Sequence, residues 1–462
     1  MKIVLINPPP ASEFDKHWAR FPVLGLAYLT SSLRDAGHEV LLLDGKLAKM
    51  SISDIVDRTL EFDAGFVGIT CMTVEFPTLV SIAMAIKSRS DIPIIAGGAH
   101  INAVKSQVLE ECNAIDFACV GEGEYLIREF ALALDTGTDP SNIKGLIYRS
   151  NNAITGVCKV EFTGERTYPK DYDLLPFPAW EMFNVGEQIP ILTHRGCPFH
   201  CTFCGHNSGF KARFRTPENV IKEIERDILL FNPKIIRFED ETFGLDIKRT
   251  KRIISLIMEK GLHKNVRFSA QTRVDKIDIE FVEMMKNANF ETLELGVESG
   301  NPEVLEKIKK KITLDQVERA VTMSKSMGLK VWCKFILGHP DETLDTIKDT
   351  MRFISKLNPD QLSVSIMTPF PGTPIHDMAL KGEGGYIMKN HDWKNYDKYS
   401  TGVLELESVS LGQLKLYQIL CYARLYLFNL RFKDAFFLVW NHFGMVTEMV
   451  VDVFRQLFLR RG

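Results

Sequence analysis

Cysteine is scarce in this sequence: nine in 462 residues, an odd number, thinly spread. That spacing argues against a disulfide framework and for a reducing compartment, where thiols serve as ligands or core filler. A charge excess of one sign is also missing. Fifty-six basic residues stand against 59 acidic ones, a formal −3, so no global field draws the chain to nucleic acid. Long hydrophobic runs are absent too, since no segment approaches the roughly 20 apolar residues that span a bilayer. The apolar N-terminus runs straight into Pro8-Pro9-Pro10 and is shorter than the 7–15 or so apolar residues of a signal-peptide core. The expected location is the cytoplasm. What is present is the balance of an ordinary globular protein, 45% apolar and 25% charged, which excludes disordered and collagen-like classes. At roughly 100–200 residues per domain the length predicts two to four domains. Phenylalanine, with 30 copies, is the one surplus.

Residues 1–150 alternate apolar runs (2–6, 39–43, 65–70, 92–96, 116–120) with amphipathic stretches (25–37, 51–62, 76–89, 102–111, 124–134). Strands apolar throughout, separated by helices, predict a parallel sheet covered on both faces. The fold class is α/β: a doubly wound, Rossmann-like domain whose ligand sits beyond the carboxyl ends of its strands. From 151 to 188 the pattern lapses into Gly, Thr, Asn and Pro, an irregular linker expected to wrap over a neighbour. A second series follows over 189–375. Strands are predicted at 189–193, 234–238, 266–270, 292–296, 330–336 and 362–366, with helices at 217–230, 247–259, 277–288, 313–327 and 342–356. A complete eight-stranded barrel takes about 250 residues, so this series suits a partial (β/α)6 barrel or another doubly wound sheet. Residues 376–462 read as a C-terminal helical domain; 411–462 hold seven phenylalanines and seven Lys or Arg against three Asp or Glu. Helices such as 435–440 and 450–454 are expected to cap the open barrel, or else to face a greasy substrate or a membrane surface.

The most informative segment is 193–206, Thr-His-Arg-Gly-Cys-Pro-Phe-His-Cys-Thr-Phe-Cys-Gly-His, at the carboxyl end of the first strand of the second series. Cys197, Cys201 and Cys204 stand at CxxxCxxC spacing in a loop with Pro and Gly, able to aim three thiolates at an iron–sulfur cluster. Zinc is the competing reading, with His200 or His206 completing a Cys3His set. Chance clustering of nine cysteines is the third.

With its context, this motif resembles that of the radical S-adenosylmethionine (SAM) superfamily. The resemblance implies that Cys197, Cys201 and Cys204 hold a 4Fe-4S cluster whose fourth iron is left for SAM. Phe203 matches the family's aromatic before the last cysteine. Glu239 and Asp240, ending the second strand, fall where the family places an acidic group near the SAM amine. Arg273 lies in the polar stretch after the third strand, and Glu298 and Ser299 after the fourth, within reach of the ribose or methionyl part. The segment 336–343, with Gly338 and Glu342, resembles the adenine-contacting GxIxGxxE signature without its first Gly. Residues 369–374, Pro-Phe-Pro-Gly-Thr-Pro, resemble the family's terminal loop.

The N-terminal domain resembles the cobalamin-binding domain that precedes the barrel in one large subfamily. The resemblance rests on Asn7-Pro8-Pro9, on 22–29, on Gly97-Gly98-Ala99-His100 and on Gly121-Glu122-Gly123-Glu124. It implies cobalamin contacts at Pro8, Leu24, Gly25, Asp44, Thr70, Gly97, Gly98, Gly121 and Glu122. Where many such domains carry DxHxxG, this chain has Asp44-Gly45-Lys46-Leu47-Ala48-Lys49. A charged lysine is a poor ligand, so cobalamin is expected without a histidine lower ligand; loss of the cofactor is the alternative.

The resemblance implies a cobalamin-dependent methyltransferase that uses a 5′-deoxyadenosyl radical to attack an unactivated carbon of a small-molecule, lipid-like or tetrapyrrole substrate. It also implies an external electron donor such as flavodoxin or ferredoxin. An anaerobic oxidative cyclase of the tetrapyrrole type, and a zinc-stabilised non-catalytic binding protein, are the alternatives. The remaining six cysteines, 71, 112, 119, 158, 333 and 421, are expected in packing.

Overall fold

The computed structural model describes residues 1–10, 22–151, 158–206, 208–397 and 402–441, together with positions 444, 447, 451 and 453. The helix expected at 450–454 therefore falls largely outside the described residues. The chain divides into two compact units. One comprises residues 1–196 and 205–219, the other residues 197–204 and 220–462.

In the first unit, strands β1 (Lys2–Asn7), β2 (Glu39–Asp44), β3 (Phe66–Thr70), β4 (Ile94–Gly97) and β5 (Phe117–Cys119) alternate with helices. They form a sheet in the order β2-β1-β3-β4-β5, all parallel, so the topology reverses direction beside β1. Ile3, Val4, Ile6, Phe66, Val67 and Ile94 are fully buried, as strands covered on both faces require. The sheet continues beyond the parallel strands. β6 (Leu146–Asn151) and β7 (Cys158–Phe162) add an antiparallel hairpin. β7 lies in the stretch that reads from sequence as irregular, because a five-residue edge strand, with Val160 and Phe162 half-buried between exposed Lys159 and Glu161, is lost among Gly, Thr, Asn and Pro. Cys158 is correspondingly exposed rather than packed. The rest of that stretch folds back on the same unit: Ala179 N donates to Ala27 O at 3.1 Å and Ser31 Oγ to Phe177 O at 2.6 Å. The single helix expected at 102–111 is two short ones, Ala99–Val104 and Gln107–Glu111, broken at Lys105, which has φ +50°. Strand β8 (Gln188–Ile191) and the two-residue antiparallel pair β9 (His194–Arg195) and β10 (Arg213–Phe214) complete this unit.

In the second unit β11 (Ile235–Phe238), β12 (Arg267–Thr272), β13 (Phe290–Glu298), β14 (Lys330–Leu337) and β15 (Gln361–Ile366) are consecutive parallel neighbours. Each is followed by a helix, so all carboxyl ends point the same way. One face carries a cluster of rings: Phe238 lies 4.6 Å from Phe243, 5.9 Å from Phe268 and 5.7 Å from Phe290. Much of the phenylalanine surplus is thus core. The other face is polar. Arg237 holds Glu294, with Nη1 to Oε1 at 2.6 Å, and Lys334 bonds both Glu294 and Gln271 at 2.6 Å.

The helix Leu411–Phe428 covers the edge strand β15. Its Gln418 Nε2 donates to Val364 O at 2.8 Å, and Tyr422 Oη accepts from Val364 N at 3.1 Å. Beyond it, Phe428, Phe432, Phe436, Phe437 and Trp440 are exposed. Among the described residues no helix is long and apolar enough to cross a membrane.

Candidate functional site

The three motif cysteines occupy the loop 197–204. Backbone bonds from Thr202 N to Ile308 O (3.1 Å) and from Ile375 N to Thr202 O (3.2 Å) clamp the loop within its unit. Cys204 N donates to Cys201 O at 3.1 Å, making a tight turn, and Cys197 Sγ lies 3.9 Å from Thr242 Oγ1. Cys201 is buried; Cys197 and Cys204 are half-buried. Burial raises the Cys201 thiol above its ordinary value, against the pull of Lys310 and Arg273. Among the described residues no three His, Cys, Asp or Glu side chains converge to hold a single metal ion.

Around this loop the structure gathers some of the expected SAM residues. Phe203 places its ring 6.2 Å from that of His339. The Arg273 guanidinium lies 3.7 Å over the Phe199 ring, with Nε bonded to Asp275 Oδ1 at 2.9 Å and Nη2 to Lys310 O at 2.8 Å. Glu298 accepts from Lys310 Nζ at 2.6 Å, and both side chains are buried. Asp240 is 1% exposed at the end of β11. Glu239 pairs instead with Arg237 at the margin of the polar face.

Two of the expected residues turn inward. Ser299 Oγ lies 3.2 Å from Thr350 Oγ1 and accepts from Asn301 N at 3.1 Å, tying the loop to a helix. Glu342 accepts from Gly338 N and His339 N at 2.7 and 3.1 Å, holding the Gly338 turn (φ +94°) from behind. Burial raises the Glu342 carboxyl to about 7 and lowers His339 to about 4. Sequence reasoning missed Lys310. It sits in the run Lys309-Lys310-Lys311, which reads as solvated charge, yet it is 6% exposed.

In the first unit a cavity of about 300 Å³ opens at the carboxyl ends of the parallel strands, where the topology reverses. Leu24, Gly25, Thr70, Gly97, Gly98, Gly121 and Glu122 line it, as do Leu5 and Ile95 from the sheet. A Cβ on Gly25 or Gly121 would meet nothing within 4 Å among the described residues, so these glycines leave room that those residues do not use. Gly98 is constrained differently: with φ +106° its Cβ would stand 2.7 Å from Cys71 O. Pro8 and Asp44 lie outside this lining, at the ends of β1 and β2. Asp44 Oδ1 accepts from Asn7 Nδ2 at 2.8 Å and from two amides, while the buried Oδ2 has no hydrogen-bond partner among the described residues. Burial raises its carboxyl above the ordinary range. Lys46, standing where DxHxxG has its histidine, pairs with the buried Glu75.

The sequence reading also passed over Arg195, which lines this cavity together with Glu124. Its Nη2 bonds Glu124 Oε1 at 2.6 Å, and Arg213 on the paired strand bonds Glu122 at 2.7 Å and Tyr172 Oη at 2.8 Å. Burial opposes the Arg195 charge, but Glu124 and Glu122 raise it above the ordinary guanidinium value. The available signal was its place two residues before Cys197. The Cys119 and Cys333 thiols are pushed up to about 12 by burial, the state of protonated packing groups.

The family model of the radical SAM superfamily matches residues 191–354, and that of the B12 binding domain matches residues 19–131. An uncharacterized methyltransferase of Pyrococcus horikoshii is 31% identical over 463 residues, 98% of this chain and 97% of the relative. The anaerobic magnesium-protoporphyrin IX monomethyl ester cyclase of Rubrivivax gelatinosus is 24% identical, over 90% of this chain and 75% of the relative. The structure of the radical S-adenosylmethionine methyltransferase TsrM from Kitasatospora setae, with cobalamin and a 4Fe-4S cluster bound, superposes with a TM-score of 0.72 at 19% identity. It covers 92% of this chain and 88% of that one. At that identity the likeness is one of fold.

Proposed function

Because this chain belongs to the radical SAM superfamily, as a member with a B12 binding domain, we propose that it is a cobalamin-dependent methyltransferase acting on an unactivated carbon. Radical SAM enzymes act on small-molecule substrates and draw electrons from a donor. For this chain we place the substrate among lipid-like or tetrapyrrole compounds, with flavodoxin or ferredoxin as donor. The aromatic C-terminal helices, exposed at Phe432, Phe436 and Trp440, suit contact with a greasy ligand or a membrane surface.

The observation that carries the reading is the glycine-lined cavity at the strand ends of the first unit. A methyl carrier needs a place of its own, and this cavity offers one; the cyclase alternative uses the same two-domain scaffold, so the product of turnover decides between them. When bound, the cluster with SAM supplies one-electron C–H chemistry and cobalamin supplies the methyl group. The chain's residues do the holding. Cys197, Cys201 and Cys204 are the proposed cluster ligands, Phe203, Arg273 and Glu298 the proposed surroundings of SAM, and Leu24, Gly25, Thr70, Gly97, Gly98, Gly121 and Glu122 the proposed cobalamin wall. Lys46, paired with Glu75, would not serve as a ligand to the cofactor.

The test is anaerobic turnover with SAM labelled in its methyl group. Label in the product establishes methyl transfer. A modified product without label assigns the chain to cyclisation, the outcome named for the Rubrivivax relative.

A further inference from the structure

The cysteine loop reaches the surface beside a group of lysines. Pro198 and His200 are exposed and Phe199 is half-buried. Thr202, between the second and third cysteines of the loop, donates its N–H to Ile308 O at 3.1 Å. The chain then turns through Lys309, Lys310 and Lys311. Lys310 points inward to Glu298, while Lys309 and Lys311 are exposed. A further lysine, Lys276, holds its ammonium 5.8 Å from the Phe199 ring. Arg273 joins these parts: its guanidinium lies 3.7 Å over the same ring and bonds Lys310 O at 2.8 Å.

The backbone shows what Lys309 and Lys311 contribute. Their φ angles are +55° and +54°, in the left-handed region where glycine is relaxed and asparagine tolerated. Glycine at both positions would turn Lys310 inward with less strain, so the fold does not explain the choice of lysine. What lysine adds is an exposed charge. The nearby acids do not cancel it, since Asp275 is engaged by Arg273, Asp341 by Lys307 and Glu298 by Lys310. Glu303 and Glu306 stand exposed on the short helix before the turn. Among the described residues, Lys276, Lys309 and Lys311 form no ion pair. Exposed loop residues with unpaired cations around them have the makings of a protein contact with a charged rim.

We propose that Lys276, Lys309 and Lys311 form the docking surface for an acidic electron-carrier protein that reduces the cluster. The proposal rests on the radical SAM reading and gives it a partner site. The carrier's reduced flavin or iron–sulfur centre loses one electron, and the cluster held by Cys197, Cys201 and Cys204 gains it. No covalent bond forms or breaks. Electron transfer slows steeply with distance, so the carrier has to dock where the loop meets solvent. Opposite charge on the two surfaces speeds the encounter and fixes its orientation.

The experiment titrates flavodoxin and ferredoxin into the anaerobically reconstituted holoenzyme, then follows reduction of the cluster by each carrier in its reduced form. K309N/K311N removes two charges and suits the left-handed backbone, so it is expected to fold at least as stably as the wild type. At about 50 mM salt its Kd for the carrier rises at least about fivefold, and K276Q/K309N/K311N weakens binding further. At about 300 mM salt the wild type also weakens, and the three proteins come within about twofold of one another. Cluster content, SAM affinity and dithionite-driven SAM cleavage stay within about twofold throughout, because a small reductant needs no docking surface. Variants that bind the carriers and accept their electrons as the wild type does overturn the assignment. An equal loss of dithionite-driven cleavage also overturns it, as does a wild type that engages neither carrier. A wild-type chain that takes up no cluster overturns the radical SAM reading, and this one with it.

Discussion

At the turn after β14, the two oxygens of Glu342 have different fates. Oε2 accepts from two amides, and Oε1 is buried without a hydrogen-bond partner among the described residues. Burial outweighs those amides and lifts the carboxyl from 4.5 to about 7. A carboxyl whose folded value exceeds its unfolded one binds its proton more tightly in the native chain. Stability therefore falls as pH rises from 4.5 to about 7, and the loss is complete above that window. The loss is on the order of 3 kcal/mol at 1.36 kcal/mol per unit. Glu342→Gln keeps an oxygen for the two amides and cannot ionise. Its unfolding free energy should be flatter than that of the wild type between pH 5 and pH 8, and higher at pH 8. Denaturant titrations at the two pH values check this; parallel losses in both proteins would show that the proton resides elsewhere. At the same scale, a glycine decides whether the first unit has a cavity. Gly25 stands in the first turn of the helix Leu24–Asp35 with open space at its Cβ. Gly25→Leu should stabilise the apo chain by about 0.5–1 kcal/mol through helix propensity, while obstructing cobalamin uptake followed by its visible spectrum.

At the scale of elements, the cysteine loop depends on a very short stem. β9 and β10 pair over two residues, and Gly196 closes the stem with φ +88°. A Cβ there would stand 2.3 Å from Lys211 O, so Gly196→Ala must move backbone rather than a side chain. The cost should exceed about 1 kcal/mol, seen as a lower Tm, and iron and sulfide incorporated per chain should fall with it. Gln418→Ala addresses the other end of the second sheet. It removes the side chain that satisfies Val364 O on the edge strand β15, for about 1–3 kcal/mol in denaturant unfolding. The βα alternation of both sheets is readable from sequence because strands buried on two faces become continuous apolar runs between amphipathic helices. β7 is not readable, since its alternation of Val160 and Phe162 with Lys159 and Glu161 spans only five residues among turn-forming neighbours. Nor is the break at Lys105, where a residue with no turn preference is forced to positive φ by its surroundings. Lys310 was hidden for the same kind of reason. Three consecutive lysines signal solvent, and only the positive φ at Lys309 and Lys311 turns the middle one inward.

For the whole molecule, cofactor loading divides along the chain. The cysteines of the loop 197–204 belong to one compact unit, and the glycine-lined cavity belongs wholly to the other. Each unit carries its own buried strands, so neither cofactor's ligands are needed to build the other's core. The triple variant C197A/C201A/C204A should therefore lose iron, sulfide and SAM cleavage while binding cobalamin with a Kd within about twofold of the wild type. Gly25→Leu should show the reverse: a full complement of iron and sulfide, SAM cleavage retained, and no cobalamin bound. The pair of variants tests the division more sharply than either alone, because a general folding defect would remove both cofactors from both proteins. A triple variant that no longer binds cobalamin would mean that the B12 binding unit takes its stability from the loaded cluster, and the two sites would then have to be treated as one thermodynamic system.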